Sequence, residues 1–298
     1  MNYTGNIYRP PFEGRSLLLQ VTVGCSHNKC AFCTMYRDVP FRVEPMEQIE
    51  EDLKEVSPHA KYIKRVFLEN GDPFVLSADR LAKIAEMIHK YLPNVDTIAM
   101  YASIMNIKSK TDAELKQLRA LGINELNIGL ESGLDDALQQ MNKGYTAKEA
   151  EYELLRLKAA DMDYGANVIF GAAGPDLRIE NAVKTAEILN HTEPYLIFTG
   201  TIHADPGCVL FERLKSGTFK ENTVAQYLEE EELFLKALNL RNCFYFGLHP
   251  SNLVGLYGDV AKQKKEMLAQ LQHFRMKLPE KQLHTIPRRG GEGAILWD

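Results

Sequence analysis

Short apolar runs alternate along the chain with longer stretches in which apolar residues return every three or four positions. The runs, rich in β-branched and aliphatic residues, predict strands over 17–23, 63–68, 97–101, 125–130, 166–170 and 195–201. The 3.6-periodic stretches predict helices over 45–56, 81–91, 112–121, 147–160 and 179–190. Leu115, Leu118 and Leu121 show the spacing, Thr111 with Glu114 reads as a capping box, and Gly122 reads as a helix stop. Strand–helix succession every thirty to forty residues or so implies βαβ units with parallel strands. Six such units make an α/β fold of the open or partial barrel kind. Beyond about residue 220 the pattern turns mainly helical, two helices around a 243–249 segment. The Glu229–Glu232 run there reads as a solvated helix face. The tail from Leu278, with Arg288-Arg289-Gly290-Gly291, reads as a loose extension or as a segment that folds over an active site. The expected division is a core over 1–220 and a helical extension over 221–298.

Composition narrows the function classes. The 298 residues are 45% hydrophobic and 25% charged, as in ordinary globular domains. Thirty-five basic against forty acidic residues give a net charge of −5, which argues against a broad nucleic-acid-binding field. No apolar run approaches a membrane span of about 18 residues. Residues 1–12 are polar, with Pro10-Pro11, and lack a signal-peptide core, so a cytosolic location is expected. Thiols stay reduced there, and the five cysteines point to metal or redox chemistry rather than disulfides.

Three of those cysteines fall within nine residues, just past the first strand: Cys25-Ser26-His27-Asn28-Lys29-Cys30-Ala31-Phe32-Cys33. Three thiolates on one loop suit a single metal centre with one position left open for a ligand. A zinc knuckle using His27 as fourth ligand is the competing reading. In parallel α/β folds the C-terminal strand ends are where ligands bind.

Four more segments follow strand ends. Glu69-Asn70-Gly71-Asp72-Pro73 follows the second strand, and Glu131-Ser132-Gly133 closes the fourth before Met141-Asn142-Lys143-Gly144-Tyr145-Thr146. Tyr164 to Pro175 contains the fifth strand with Asn167. His203 to Cys208 follows the sixth. Together with the C-x4-C-x2-C loop they resemble the radical S-adenosylmethionine (SAM) enzymes. The likeness is greatest to the branch with oxygen-independent coproporphyrinogen oxidases, methylthiotransferases and the Elongator catalytic subunit. It spans about residues 15–220 and implies a partial (β/α)6 TIM-like barrel. The usual triad is C-x3-C-x-aromatic-C; this chain has one extra residue in the first gap and keeps the aromatic at Phe32.

The resemblance implies a [4Fe-4S] cluster on Cys25, Cys30 and Cys33 and SAM as second cofactor. Asn70, Gly71 and Asp72 would meet the methionine amino group, with Asp72 in the glutamate's place. Glu131 would accept from the ribose hydroxyls, with Ser132 beside it. Asn167 would lie along the adenine. Arg156 is a candidate carboxylate clamp, or a surface arginine. Reductive cleavage of SAM would give a 5′-deoxyadenosyl radical that takes hydrogen from a small-molecule substrate, with flavodoxin or ferredoxin as electron donor. Cys208 stands where relatives place threonine; it is a candidate hydrogen-atom donor or substrate contact, or a buried small residue, and Cys243 reads as the last of these. His249-Pro250-Ser251-Asn252 is a candidate pocket lining or helix cap. Two competing readings keep the same core: a tRNA- or peptide-modifying enzyme, and a non-catalytic cluster or haem chaperone.

Overall fold

The structure, a computed structural model, describes residues 1–297. It divides into two compact units. One comprises residues 1–28, 35–129 and 153–164, the other residues 29–34, 130–152 and 165–298.

In the first unit four strands run parallel in the order β1 (Leu17–Gln20), β2 (Arg65–Glu69), β3 (Thr97–Ala102) and β4 (Ile123–Glu131), the last two residues of β4 belonging to the second unit. Helices α1 (Met46–Val56), α2 (Ala78–Tyr91) and α3 (Asp112–Ala120) supply the intervening turns of the chain. Ile49 and Leu53 of α1 and Leu81, Ile84 and Ile88 of α2 are fully buried, as their spacing requires. The capping box at Thr111 is formed: its hydroxyl accepts from the Glu114 amide, and the Glu114 carboxylate accepts from the Thr111 amide. Gly122 ends α3 at a φ of +84°.

Alternation in β2 sends Val66 and Leu68 to one face and Arg65, Phe67 and Glu69 to the other. The second face is unusually polar. Arg65 bridges Glu13 and Glu125 there, at 2.6 Å from each.

In the second unit β5 (Asp163–Phe170), β6 (Leu196–Thr201) and β7 (Phe244–Gly247) are parallel, and β8 (Leu256–Asp259) pairs antiparallel with β7. The longer helices are α4 (Ala147–Ala159), α5 (Gly174–Thr192), α6 (Val209–Ser216), α7 (Val224–Ala237) and α8 (Val260–Lys277).

The α/β class and the six strand–helix steps agree with expectation, and three details differ. Helix α5 starts at Gly174, five residues early, because Pro175 suits the first turn of a helix, where no amide hydrogen is needed. The 243–249 segment contributes a strand, and Ser251 and Asn252 latch onto β6: the Ser251 hydroxyl accepts from the Thr201 amide, and the Asn252 amide donates to the Thr199 carbonyl. The tail is tied down rather than loose. Arg289 pairs with Glu221 at 2.8 Å and lies over the Tyr227 ring, and the Ile295 amide donates to the Pro250 carbonyl.

Candidate active site

In the first unit the segment after β2 clasps the start of the cysteine loop. Asn70 takes a φ of +76°, a backbone state asparagine tolerates better than most residues. Its side chain donates to the Thr22 carbonyl at 2.8 Å. The Gly71 amide donates to the Gly24 carbonyl at 3.0 Å. A Cβ on Gly71 would lie 2.5 Å from the Cys25 Cβ, so only glycine admits this approach. Asp72 accepts from the Ser26 amide at 2.9 Å and from the Ser26 hydroxyl. Burial pushes the Asp72 carboxyl up, against the Ser26 bonds, which pull it down. The carboxylate that the resemblance aims at an amino group is thus engaged in fixing the Cys25 loop.

In the second unit the later half of the loop is anchored separately. The Ala31 amide donates to the Met141 carbonyl, the Leu210 amide donates to the Ala31 carbonyl, and the Asn142 side chain donates to the Lys29 carbonyl. Phe32 packs on Leu134, Ala137, Met141 and Ala172. Its aromatic ring therefore seats the residue before Cys33 in an apolar cluster.

Glu131 also belongs to this unit. Its φ is +63°, and the Ser132 amide donates to the Leu130 carbonyl across it at 2.8 Å. A glutamate in so tight a turn is costly, and such strain concentrates at functional sites. The Lys143 ammonium donates to its carboxylate at 3.0 Å, with both side chains 9% exposed. Burial, the largest single influence, pulls Lys143 down, but its interactions, with the Glu131 carboxylate first, outweigh it and raise Lys143 well above its ordinary value. Lys143 therefore brings a positive charge to both Glu131 and the Cys30 thiol.

Ser132 and Gly133 are fixed by α5. The Ser132 hydroxyl donates to Asn181, the Gly133 amide donates to the Thr185 hydroxyl at 2.8 Å, and a Cβ on Gly133 would meet the Lys184 carbonyl oxygen at 2.5 Å. Asn181 in turn donates to Glu230 at 2.7 Å, which also accepts from the Gly171 amide and Asn222, each at 2.9 Å. This network joins the Ser132 turn to the glycine turn after β5. It corrects the solvated-face reading of 229–232, since Glu230 and Glu231 are buried. Four consecutive helical residues sweep roughly 300° around the axis, so such a run cannot keep to one face.

Lys143, Asn181, Asn222 and Glu230 were not singled out from sequence. Their polar side chains mark no chemistry until folding pairs them. The helical sweep was the available signal for Glu230.

The remaining candidates are placed differently. Arg156 is surrounded by protein acceptors: Asp112 at 2.6 Å, Glu153 at 2.5 Å and the carbonyls of Ile107 and Lys110. These contacts, all within the first unit, brace residues 153–159 at the end of α4 against the start of α3. Asn167 is half-buried in β5, in register with Phe198 of β6. Cys208 is buried, and its Sγ accepts from the Phe211 amide at 3.4 Å, capping α6. Cys25, Cys30 and Cys33 are reduced and half-buried. Among the described residues no three His, Cys, Asp or Glu side chains stand as a group that could hold a metal ion. The donor chemistry nonetheless fits an iron–sulfur cluster: three thiols in nine residues, with Gly71 shaped to Cys25 and the Lys143 charge near Cys30.

A model of the radical SAM superfamily matches residues 19–189. The haem chaperone HemW of Bacillus subtilis (strain 168) is 23% identical over 178 residues, 59% of this chain and 46% of that protein. HemW of Buchnera aphidicola subsp. Schizaphis graminum is 23% identical over 217 residues, 70% of this chain and 56% of that one. The chain thus spans about half the length of the curated relatives it matches. Among solved structures, methylornithine synthase (PylB) superposes with a TM-score of 0.53 at 15% identity, over 89% of this chain and 83% of that one. At such identity the likeness shows the fold, here that of a TIM-like radical SAM barrel.

Proposed function

Because the chain belongs to the radical SAM superfamily, we propose that it is an enzyme whose Cys25, Cys30 and Cys33 hold a [4Fe-4S] cluster beside SAM. Cluster and SAM, when bound, supply an electron-driven cleavage to a 5′-deoxyadenosyl radical that takes hydrogen from a substrate. The chain's own residues prepare the place. Gly71 lets the segment after β2 come against Cys25, and Asp72 locks Ser26. Lys143 orients the Glu131 carboxylate for the ribose hydroxyls and lends its charge to Cys30. Phe32 seals the loop with apolar contacts, which limits water near the cluster. Residues 1–220 would carry this core and residues 221–298 would help to shape the pocket for a small-molecule substrate. An electron-transfer protein of the flavodoxin or ferredoxin kind would supply the electron.

The observation that carries this reading is the three-cysteine loop, lying inside the matched segment and backed by the buried Lys143–Glu131 pair. The curated relatives called haem chaperones favour a second reading, haem handling without turnover. One experiment separates the two. Anaerobically reconstituted protein should hold about four irons and four sulfides, lose them in Cys25→Ala, Cys30→Ala and Cys33→Ala, and release 5′-deoxyadenosine under dithionite. Cluster without 5′-deoxyadenosine, but with one haem per chain in a Soret titration, would favour the chaperone. Zinc without sulfide would end both readings.

A further inference from the structure

Glu69, the last residue of β2, is completely buried, and neither of its carboxylate oxygens has a hydrogen-bond partner among the described residues. Phe67, two residues earlier, shares its face and packs edge-on against Tyr101 of β3, at 5.2 Å between ring centroids. Gln20 of β1 lies opposite Glu69, and Asn127 of β4 lies opposite Tyr101. Continuing the β2–β3 register by one residue sets Glu69 level with Tyr101. A row of Gln20, Glu69, Tyr101 and Asn127 thus crosses the four strands of the first unit near their C-terminal ends.

The row is incompletely satisfied. Asn127 is 1% exposed with its side-chain NH2 unpartnered, and the Thr22 hydroxyl just beyond β1 is fully buried and unpartnered as well. Gln20 is occupied with the backbone of Thr4, accepting from its amide at 2.8 Å and donating to its carbonyl at 3.3 Å. The arginine on the Glu69 face of β2, Arg65, is occupied by Glu13 and Glu125. A carboxyl buried without a partner costs several kcal/mol if it is charged, and strand interiors ordinarily avoid one. Burial accordingly pushes the Glu69 carboxyl up to about 7. In parallel α/β folds the C-terminal strand ends are where ligands are met.

We propose that Glu69 anchors a protonated nitrogen of the substrate, with the Asn127 NH2 placed to donate to an oxygen of the same molecule. An ammonium or guanidinium would give the carboxylate charge-assisted bonds that none of the described residues supplies. The ligand class is therefore a small amine or guanidine that also bears a carbonyl, carboxylate or hydroxyl. Calling that ligand the substrate rests on the enzymatic reading above. The site itself does not, and the experiment reads binding rather than turnover.

The test is a thermal-shift titration of the full, cluster-loaded chain with n-butylammonium and guanidinium chlorides, against sodium chloride at equal ionic strength and against butanol. It is run with and without saturating SAM. Wild type should be stabilised by the two cations and not by butanol, with and without SAM. The apparent affinity should fall at least tenfold in Glu69→Gln and less in Glu69→Asp. Without any cation, Glu69→Gln should melt above wild type, because an uncompensated carboxyl is gone. No cation shift in wild type would mean that water alone fills the row, and equal shifts in Glu69→Gln would place the binding elsewhere. A shift abolished by SAM would assign the carboxylate to the cofactor's own amino group. Each of these three results overturns the proposal.

Discussion

Lys143 keeps a full charge where burial opposes one, because the Glu131 carboxylate lies 3.0 Å away. Removing one member of such a pair is far worse than removing both, since the survivor is left charged and desolvated. Lys143→Met should therefore lower unfolding stability by about 3–5 kcal/mol, and the double change Lys143→Met with Glu131→Gln should recover most of it. Urea melts of the four proteins measure the coupling. A single-variant loss below about 1 kcal/mol, the level of an exposed pair, would show that the ion pair is not a structural support. The sequence made Glu131 legible, as an acid at a strand end inside a recognisable stretch. Lys143 stood in the same stretch and passed as an ordinary lysine, because lysines are usually exposed and nothing local says that one will be enclosed.

The ends of helices decide the role of Cys208. Its Sγ accepts from the Phe211 amide and so caps α6 at the point where the segment after β6 turns into the helix. Serine is a better cap acceptor than cysteine and nearly the same size. Cys208→Ser should keep its iron and melt at or above the wild-type temperature, whereas Cys208→Val should lose about 0.5–2 kcal/mol through the missing cap. Calorimetry with iron analysis distinguishes these outcomes. If Cys208→Ser keeps its stability and its SAM cleavage but yields no product from a substrate, the sulfur has a chemical role beyond the cap. Helix starts were readable where a cap and an acid sit three apart, as at Thr111 and Glu114. They were not readable at Gly174-Pro175, where a turn signal and a helix start are written with the same residues.

Buried acids shape the pH response of the molecule as a whole. Glu231 accepts from the Tyr245 hydroxyl at 2.7 Å, and burial, against that bond, pushes its carboxyl up to about 7. A carboxyl raised in the folded state binds its proton there more tightly than in the unfolded chain. Its contribution to stability is complete below about pH 4.5, the unfolded value, and is lost as pH rises through about 7. Glu231→Gln keeps an acceptor for Tyr245 and abolishes the titration. The stability of wild type relative to this variant should fall between pH 4.5 and 7 by on the order of 2–3 kcal/mol and level off above. Urea midpoints taken at half-unit pH intervals would show it. A flat difference across that range would mean that Glu231 stays ionised in the folded state.

The sequence by itself determined the strand–helix succession, the C-x4-C-x2-C loop, the motifs that follow the strands and, through them, the family. Each depends on periodicity or on spacing within one short segment, which the chain carries before it folds. Tertiary structure decided the environment of each charge. It bound Arg156 to Asp112 and Glu153, set Asp72 on Ser26, paired Lys143 with Glu131, buried Glu230 and Glu231, and left Glu69 buried without a partner. Partners separated by tens of residues meet only after folding. The energy of a charge depends on what surrounds it and on how far water is excluded, and neither is written in the order of the residues.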